Sequence, residues 1–267
     1  MTPGSRPGRG PHRLRRMILM TAFLLVGAAA LAVRPASADE RGEPLPLQPL
    51  IDAARAGAQL RLEPGVYAGP VTVGKPLSLE ADGGVTIVNA DELPAITVAA
   101  EGAALRGLRI EQSGGRDAPA VLVRAPGVSL EGLDILTEGF GIRLERADRA
   151  VVRGNLVRTS QPPGGRFTQR KNGIDLYETD DAAIEDNTIV SMYDAIYIEN
   201  SDNARIAGNT VESSRYGIHV MYSDGAVITG NDGRMNVTGA MVMTADGALI
   251  EGNVFAKQSE NVNSQGI

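Results

Sequence analysis

The chain has 267 residues, with 26 Lys and Arg against 32 Asp and Glu, 43% hydrophobic content, 4% aromatics, and neither Cys nor Trp. Such a length and apolar content support one or two domains with a sizeable core. Absence of cysteine excludes disulfides, Cys-ligated zinc, iron–sulfur clusters and thiol catalysis.

The first element in chain order is a leader. Arg6, Arg9, Arg13, Arg15 and Arg16 precede an apolar run from Met17 to Val33, and Ala36-Ser37-Ala38 comes next. A basic region, an apolar core and an A-x-A site make a secretory signal peptide over residues 1–38, with cleavage expected after Ala38. The alternative is a retained anchor, for which an apolar run of about 17 residues is short. Sec and twin-arginine export both remain open, the latter through Arg15-Arg16. Removing residues 1–38 takes away six arginines, no acid and His12, leaving 229 residues (267 − 38) with 20 basic and 32 acidic side chains and a net charge of −12. A domain this acidic is a poor electrostatic match for nucleic acid.

A short helix is expected over residues 49–56, with Pro49 near its start and Gly57 just past its end. Leu50, Ile51 and Ala54 would cover the open first coil of a repeat domain.

The rest of residues 39–267 is that repeat domain. With a period of 22, columns of like residues align: Asn187, Asn209, Asn231 and Asn253; Ile184, Ile206, Ile228 and Ile250; Ala182, Ala204, Ala226 and Ala248; Asp180, Asp202, Asp224 and Asp246. Ile174, Ile196, Ile218 and Ala240 form another, with Leu176, Ile198, Val220 and Val242 two residues on. Within each repeat the apolar residues alternate, which is strand periodicity. Asp181, Asn203, Gly225 and Gly247 stand at corners and tolerate a left-handed backbone. One such repeat cannot close its own core, but stacked coils bury Ile on Ile along one axis. The fold class is therefore all-β: a right-handed parallel β-helix, a pectate-lyase-like solenoid of about 22 residues per coil, with about eight coils between Val71 and Phe255.

Two irregularities interrupt the period. Asn155 and Asn187 are 32 apart, so one coil carries ten extra residues, most naturally Gln161–Arg170, which are expected to protrude as a loop. At the other end Gly266-Ile267 resembles the opening of another coil, so a truncated C-terminus is expected.

The Asp column could suggest paired catalytic carboxylates or calcium bridging, but an Asp at the same corner of every coil matches a turn-stabilising role, bonding the backbone two residues on. Outward positions carry more chemistry. If Ile218 and Val220 point in, His219 and Met221 point out, and one coil on so do Met241 and Met243. Adjacent coils lie roughly 4.8 Å apart, so these four form one exposed patch of soft ligands. Thioethers with an imidazole suit Cu(I). A Met-rich surface also serves as an adaptable protein-docking face, and four such residues can meet by chance; spacing alone leaves the three readings open. Tyr197 continues the His219 column, with Tyr216 and Tyr222 nearby. Arg166, Arg170 and Lys171 make a basic spot that is either a solvated loop or a partner contact.

Asn172-Gly173-Ile174-Asp175-Leu176, Asp194-Ala195-Ile196-Tyr197-Ile198-Glu199-Asn200-Ser201 and above all Arg215-Tyr216-Gly217-Ile218-His219-Val220-Met221-Tyr222-Ser223 resemble the NosD family, the periplasmic maturation proteins of the nitrous-oxide reductase system. The resemblance runs roughly from Leu60 to the C-terminus and is specific in the last stretch. It implies a non-enzymatic periplasmic accessory protein that works with an ABC transporter (permease and ATPase) and a copper chaperone to deliver copper to nitrous-oxide reductase. On that reading His219, Met221, Met241 and Met243 take up Cu(I) transiently, while Arg215, Tyr216, Tyr222, Tyr197, Arg166 and Arg170 meet partners. Thr244-Ala245 replace the Tyr-Ser common in the following coil, and Asp194-Ala195 replace a commoner Asp-Gly. The rival reading is a carbohydrate-active β-helix enzyme, a lyase, hydrolase or epimerase on acidic polysaccharide. Such an enzyme needs a singular acid–base cluster, where this chain offers repeated Asp columns and one mature-chain histidine. A structural or adhesive solenoid is the third.

Overall fold

A computed structural model describes residues 42–162, 166–256 and 265–267. The expected signal peptide lies outside the described residues. Among them, no helix is long and apolar enough to cross a membrane.

Among the described residues the solenoid is a right-handed parallel β-helix built from three sheets of ten, eight and nine strands. Each full coil gives one strand to each sheet, and every strand pairs in parallel with its counterparts in the coils before and after; in the middle of the repeat block these are Ala183–Glu185, Thr188–Val190 and Asp194–Glu199. The 22-residue columns are the register itself, as Ile184 pairs with Ile206 and Ile206 with Ile228. Those three isoleucines are fully buried. Each burial stabilises the stack by about 1.5–3 kcal/mol, so a coil cannot be removed without exposing its neighbours.

Polar ladders hold the corners. Asn155, Asn187, Asn209, Asn231 and Asn253 are bonded in sequence, each Nδ2 donating to the next Oδ1 at 2.8–3.0 Å. Each Oδ1 also accepts a backbone N–H from the preceding coil, as Asn209 Oδ1 does from Asn187 at 3.0 Å. Interior amides are thereby satisfied where the strands break. The Asp column is structural too, but its bonds run between coils rather than two residues on. Asp180 Oδ1 accepts from the Asp202 N–H at 2.8 Å, and Asp202 Oδ1 from Asp224 at 2.8 Å. Asp181, Asn203, Gly225 and Gly247 are left-handed, with φ between 57° and 68°.

The helix runs Gln48–Ala53, shorter than expected. Its final carbonyls are taken by Lys75 Nζ, which donates to Asp52 O and Ala54 O at 2.8 Å each. Ile51 is buried and covers the first coil, as expected. In the ten-residue insertion, the described part folds back instead of protruding. A 3-10 turn at Phe167–Gln169 accepts from Arg116 Nη2 at Thr168 O, 2.8 Å, and Lys171 pairs with Asp117 at 2.7 Å. At the far end Gln265 bridges Thr238, and the Gly239 and Ala240 N–H groups donate to Gln265 O and Gly266 O at 3.0 Å each.

Outer faces are laced with alternating Arg and Glu or Asp. Glu185 accepts from both Arg153 and Arg205, and Asp134 from both Arg109 and Arg158. Such faces neutralise themselves and contribute little stability per pair. The lacing gives way to Tyr, His and Met on the outer face of the eight-stranded sheet, at its C-terminal end.

Candidate functional site

Three consecutive six-residue strands build this face: Asp194–Glu199, Tyr216–Met221 and Thr238–Met243. Ile196, Ile198, Ile218 and Val220 turn inward and are fully buried, which sends the alternate residues outward. Pairing aligns Tyr197 with His219 and His219 with Met241, and one step along, Glu199 with Met221 and Met221 with Met243. The His219, Met221, Met241 and Met243 positions therefore adjoin, as the period implies.

His219 is buried rather than exposed, at 5% of its surface. Its ring meets Tyr197 and Tyr216 edge to face, with centroids 5.0 and 4.7 Å apart. Nδ1 lies 3.0 Å from Asp194 Oδ2, while Nε2 is buried with no hydrogen-bond partner among the described residues. Asp194, itself 1% exposed, is also gripped by Arg215, with Nη2 to Oδ2 at 2.5 Å and Nε to Oδ1 at 2.8 Å. The guanidinium sits 3.9 Å from the Tyr193 ring centroid and 4.2 Å from that of Tyr216. Arg215 is thus committed within the site instead of being offered to a partner. Tyr197 donates its hydroxyl to Met221 Sδ at 3.5 Å, and burial together with nearby Glu199 keeps that phenol protonated well beyond its ordinary range. Beneath Tyr197 in the same column, burial raises the Asp175 carboxyl to about 6, opposed by Asn172 Nδ2 at 2.6 Å and by Arg143.

A cleft of about 440 Å³ opens beside this cluster, lined by Phe140, Lys171, Tyr193, Tyr197, His219 and Met221 among others. Met221 and Met241 are half-buried, while Met243 and Tyr222 are exposed. Of the basic residues in the insertion, Arg166 is exposed, but Arg170 is buried with its guanidinium 5.4 Å from the Phe167 ring centroid. Arg170 is therefore part of the folded-back insertion and not a presented contact. Sequence reasoning does not single out Asp194, Tyr193, Phe140 or Lys171 as members of this cluster. Asp194 is the one with a readable signal, since it shares the register position of Tyr216, three residues before His219 in the next coil.

Among the described residues no three His, Cys, Asp or Glu side chains converge as a metal cage. A metal ion here would rest on one imidazole nitrogen and thioethers, a donor set that favours a soft ion. The unpartnered, buried Nε2 fits that use, because a buried polar atom without a partner is costly unless something binds it.

The model of a family described as "Periplasmic copper-binding protein (NosD)" matches residues 158–267. Over this stretch, less than half of the chain, it is similar to the NosD family. The match takes in the insertion, Asp194, Arg215, His219 and the three methionines, and it begins well after Leu60, where the motif resemblance starts. Coils before it carry the looser repeat. No curated protein matches the chain. Among solved structures, the enzymatically active domain of bacteriophage CBA120 tailspike protein 2 aligns with TM-score 0.56 at 13% identity, covering 82% of this chain and 42% of that one. This chain thus spans less than half the length of that relative. Pectate lyase Pel9A aligns with TM-score 0.48 at 10% identity, covering 82% of this chain and 75% of that one. At such identities the likeness to the tailspike domain is one of β-helix fold alone. The stretch that the NosD model matches is the part of the chain whose likeness comes with a functional description.

Proposed function

We propose that this protein is a non-enzymatic periplasmic accessory protein that hands Cu(I) toward nitrous-oxide reductase, together with an ABC transporter and a copper chaperone. Copper is cargo here, held briefly. The observation that carries the reading is His219 Nε2, buried and unpartnered beside a cleft, with Met221 on its own strand and Met241 opposite it in the next coil. An imidazole nitrogen and thioethers hold Cu(I) without a thiolate, and a site with few ligands releases its ion readily to a partner. Tyr222 and Met243, both exposed, extend the same face as a docking rim. The NosD-family match supports the copper class, while the transporter, chaperone and reductase come from the motif resemblance.

Competitive Cu(I) titration of the protein tests this. Binding of one equivalent, weakened by His219→Ala and by Met221→Ala, is expected. Absence of any Cu(I) affinity in the unaltered protein would overturn the metal-handling role. Retention of the reductase or the chaperone on the protein, lost in Tyr222→Ala, would then identify the face as a docking surface only.

A further inference from the structure

His219 has two ring nitrogens in opposite situations. Nδ1 faces Asp194 Oδ2 at 3.0 Å, and Nε2 is buried with no partner among the described residues. An ionised carboxylate only accepts, so the hydrogen of the neutral ring sits on Nδ1 and the lone pair on Nε2. Asp194 is in turn fixed by two charge-assisted bonds from Arg215, whose plane is held between Tyr193 and Tyr216. The order is tyrosines, guanidinium, carboxylate, imidazole, and His219 is among the residues that line the cleft. We propose that Asp194 and Arg215 are positioning residues that fix the His219 tautomer, so that the bare Nε2 lone pair is presented to the incoming ion.

This inference rests on the copper-handling reading for its purpose, but its geometry stands apart from any metal. In metal sites a carboxylate behind the ligating histidine orients the ring and raises its basicity, and losing it costs about 10–100-fold in affinity. Arg215 adds a second constraint. If Asp194 becomes Asn, the single amide oxygen is claimed by the guanidinium, and the amide NH₂ is left facing Nδ1. That group donates, so the imidazole must accept at Nδ1 and carry its hydrogen on Nε2. The ligating lone pair is then gone while the shape is kept, as happens when an amide replaces the carboxylate of a catalytic triad.

The test is nitrogen NMR on histidine-labelled full-length protein without copper, with His12→Gln removing the second histidine signal. A protonated Nδ1 and bare Nε2 in the otherwise unaltered protein are expected. Asp194→Asn should reverse the two and lower Cu(I) affinity by about 10–100-fold. Arg215→Lys, which keeps the charge but not the paired bonds, should produce mixed tautomers and a smaller loss. A protonated Nε2 in the otherwise unaltered protein overturns the proposal, as does an Asp194→Asn protein whose tautomer is unchanged. Should Asp194→Asn fail to fold, the parent spectrum and Arg215→Lys decide. The expected tautomer in a protein with no Cu(I) affinity supports the positioning role and overturns the copper reading instead.

Discussion

Tyr197 and His219 occupy the same position in successive coils, and their rings meet edge to face with centroids 5.0 Å apart. Tyr216 closes on the imidazole from its own strand at 4.7 Å. Two aromatic contacts thus bury a side chain that stands on the outer face of a sheet. The histidine lines a cleft together with Tyr197 and Met221.

The methionines should differ in weight. Met241 is the register partner of His219 and half-buried, whereas Met243 pairs with Met221 and is exposed. Met241→Ala is expected to lower Cu(I) affinity more than Met243→Ala in the same competitive titration. Equal losses would place the ion farther out along the strand.

Asn209→Ala should break the interior ladder. It removes the acceptor for the Asn187 N–H and Nδ2, and the donor to Ile184 O, all in buried surroundings. Each buried group left unpaired costs about 1–3 kcal/mol, so a loss of about 3 kcal/mol is expected. A lowered guanidinium midpoint of unfolding would report it.

Gly217 precedes Ile218 and His219 where adjacent coils approach closely. A Cβ there would lie 2.5 Å from Gly239 O and 2.9 Å from Val211 Cγ2. Gly217→Ala is therefore expected to destabilise by about 1–3 kcal/mol through overpacking. Gly74→Ala, where a Cβ meets nothing within 4 Å, is the control and should leave thermal unfolding within about 0.5 kcal/mol of the parent.

Asp175 should make stability fall as pH rises. Burial raises its carboxyl to about 6 in the fold from 3.8, so between those values the folded state binds the extra proton. Stability linked to this group is greatest below about 4 and declines through about 6. Asp175→Asn, which keeps an acceptor for Asn172 Nδ2, should gain on the order of 3 kcal/mol over the parent at pH 7 and almost nothing at about pH 3.5. Denaturant titrations at the two pH values would measure the difference, and a constant offset would refute the assignment.

Much of this molecule is written in one dimension. In parallel, in-register stacking, residues one period apart become neighbours, so the Asn, Ile and Asp columns and the His219–Met241 and Met221–Met243 adjacencies come from spacing alone. Glycine, Asn and Asp at the corners declare their left-handed backbone in the same way. Spacing does not reach the contacts between columns. The direction of the Asp bonds, coil to coil, and the contacts of Thr168 and Lys171 with Arg116 and Asp117 depend on which donor is nearest once the coils are stacked. Alternation assigns His219 to the outer side of the sheet but says nothing of which side chains cover it there. Its burial by Tyr197 and Tyr216, and the Asp194–Arg215 pair behind it, arise from side-chain directions across neighbouring strands, and only the tertiary structure sets those.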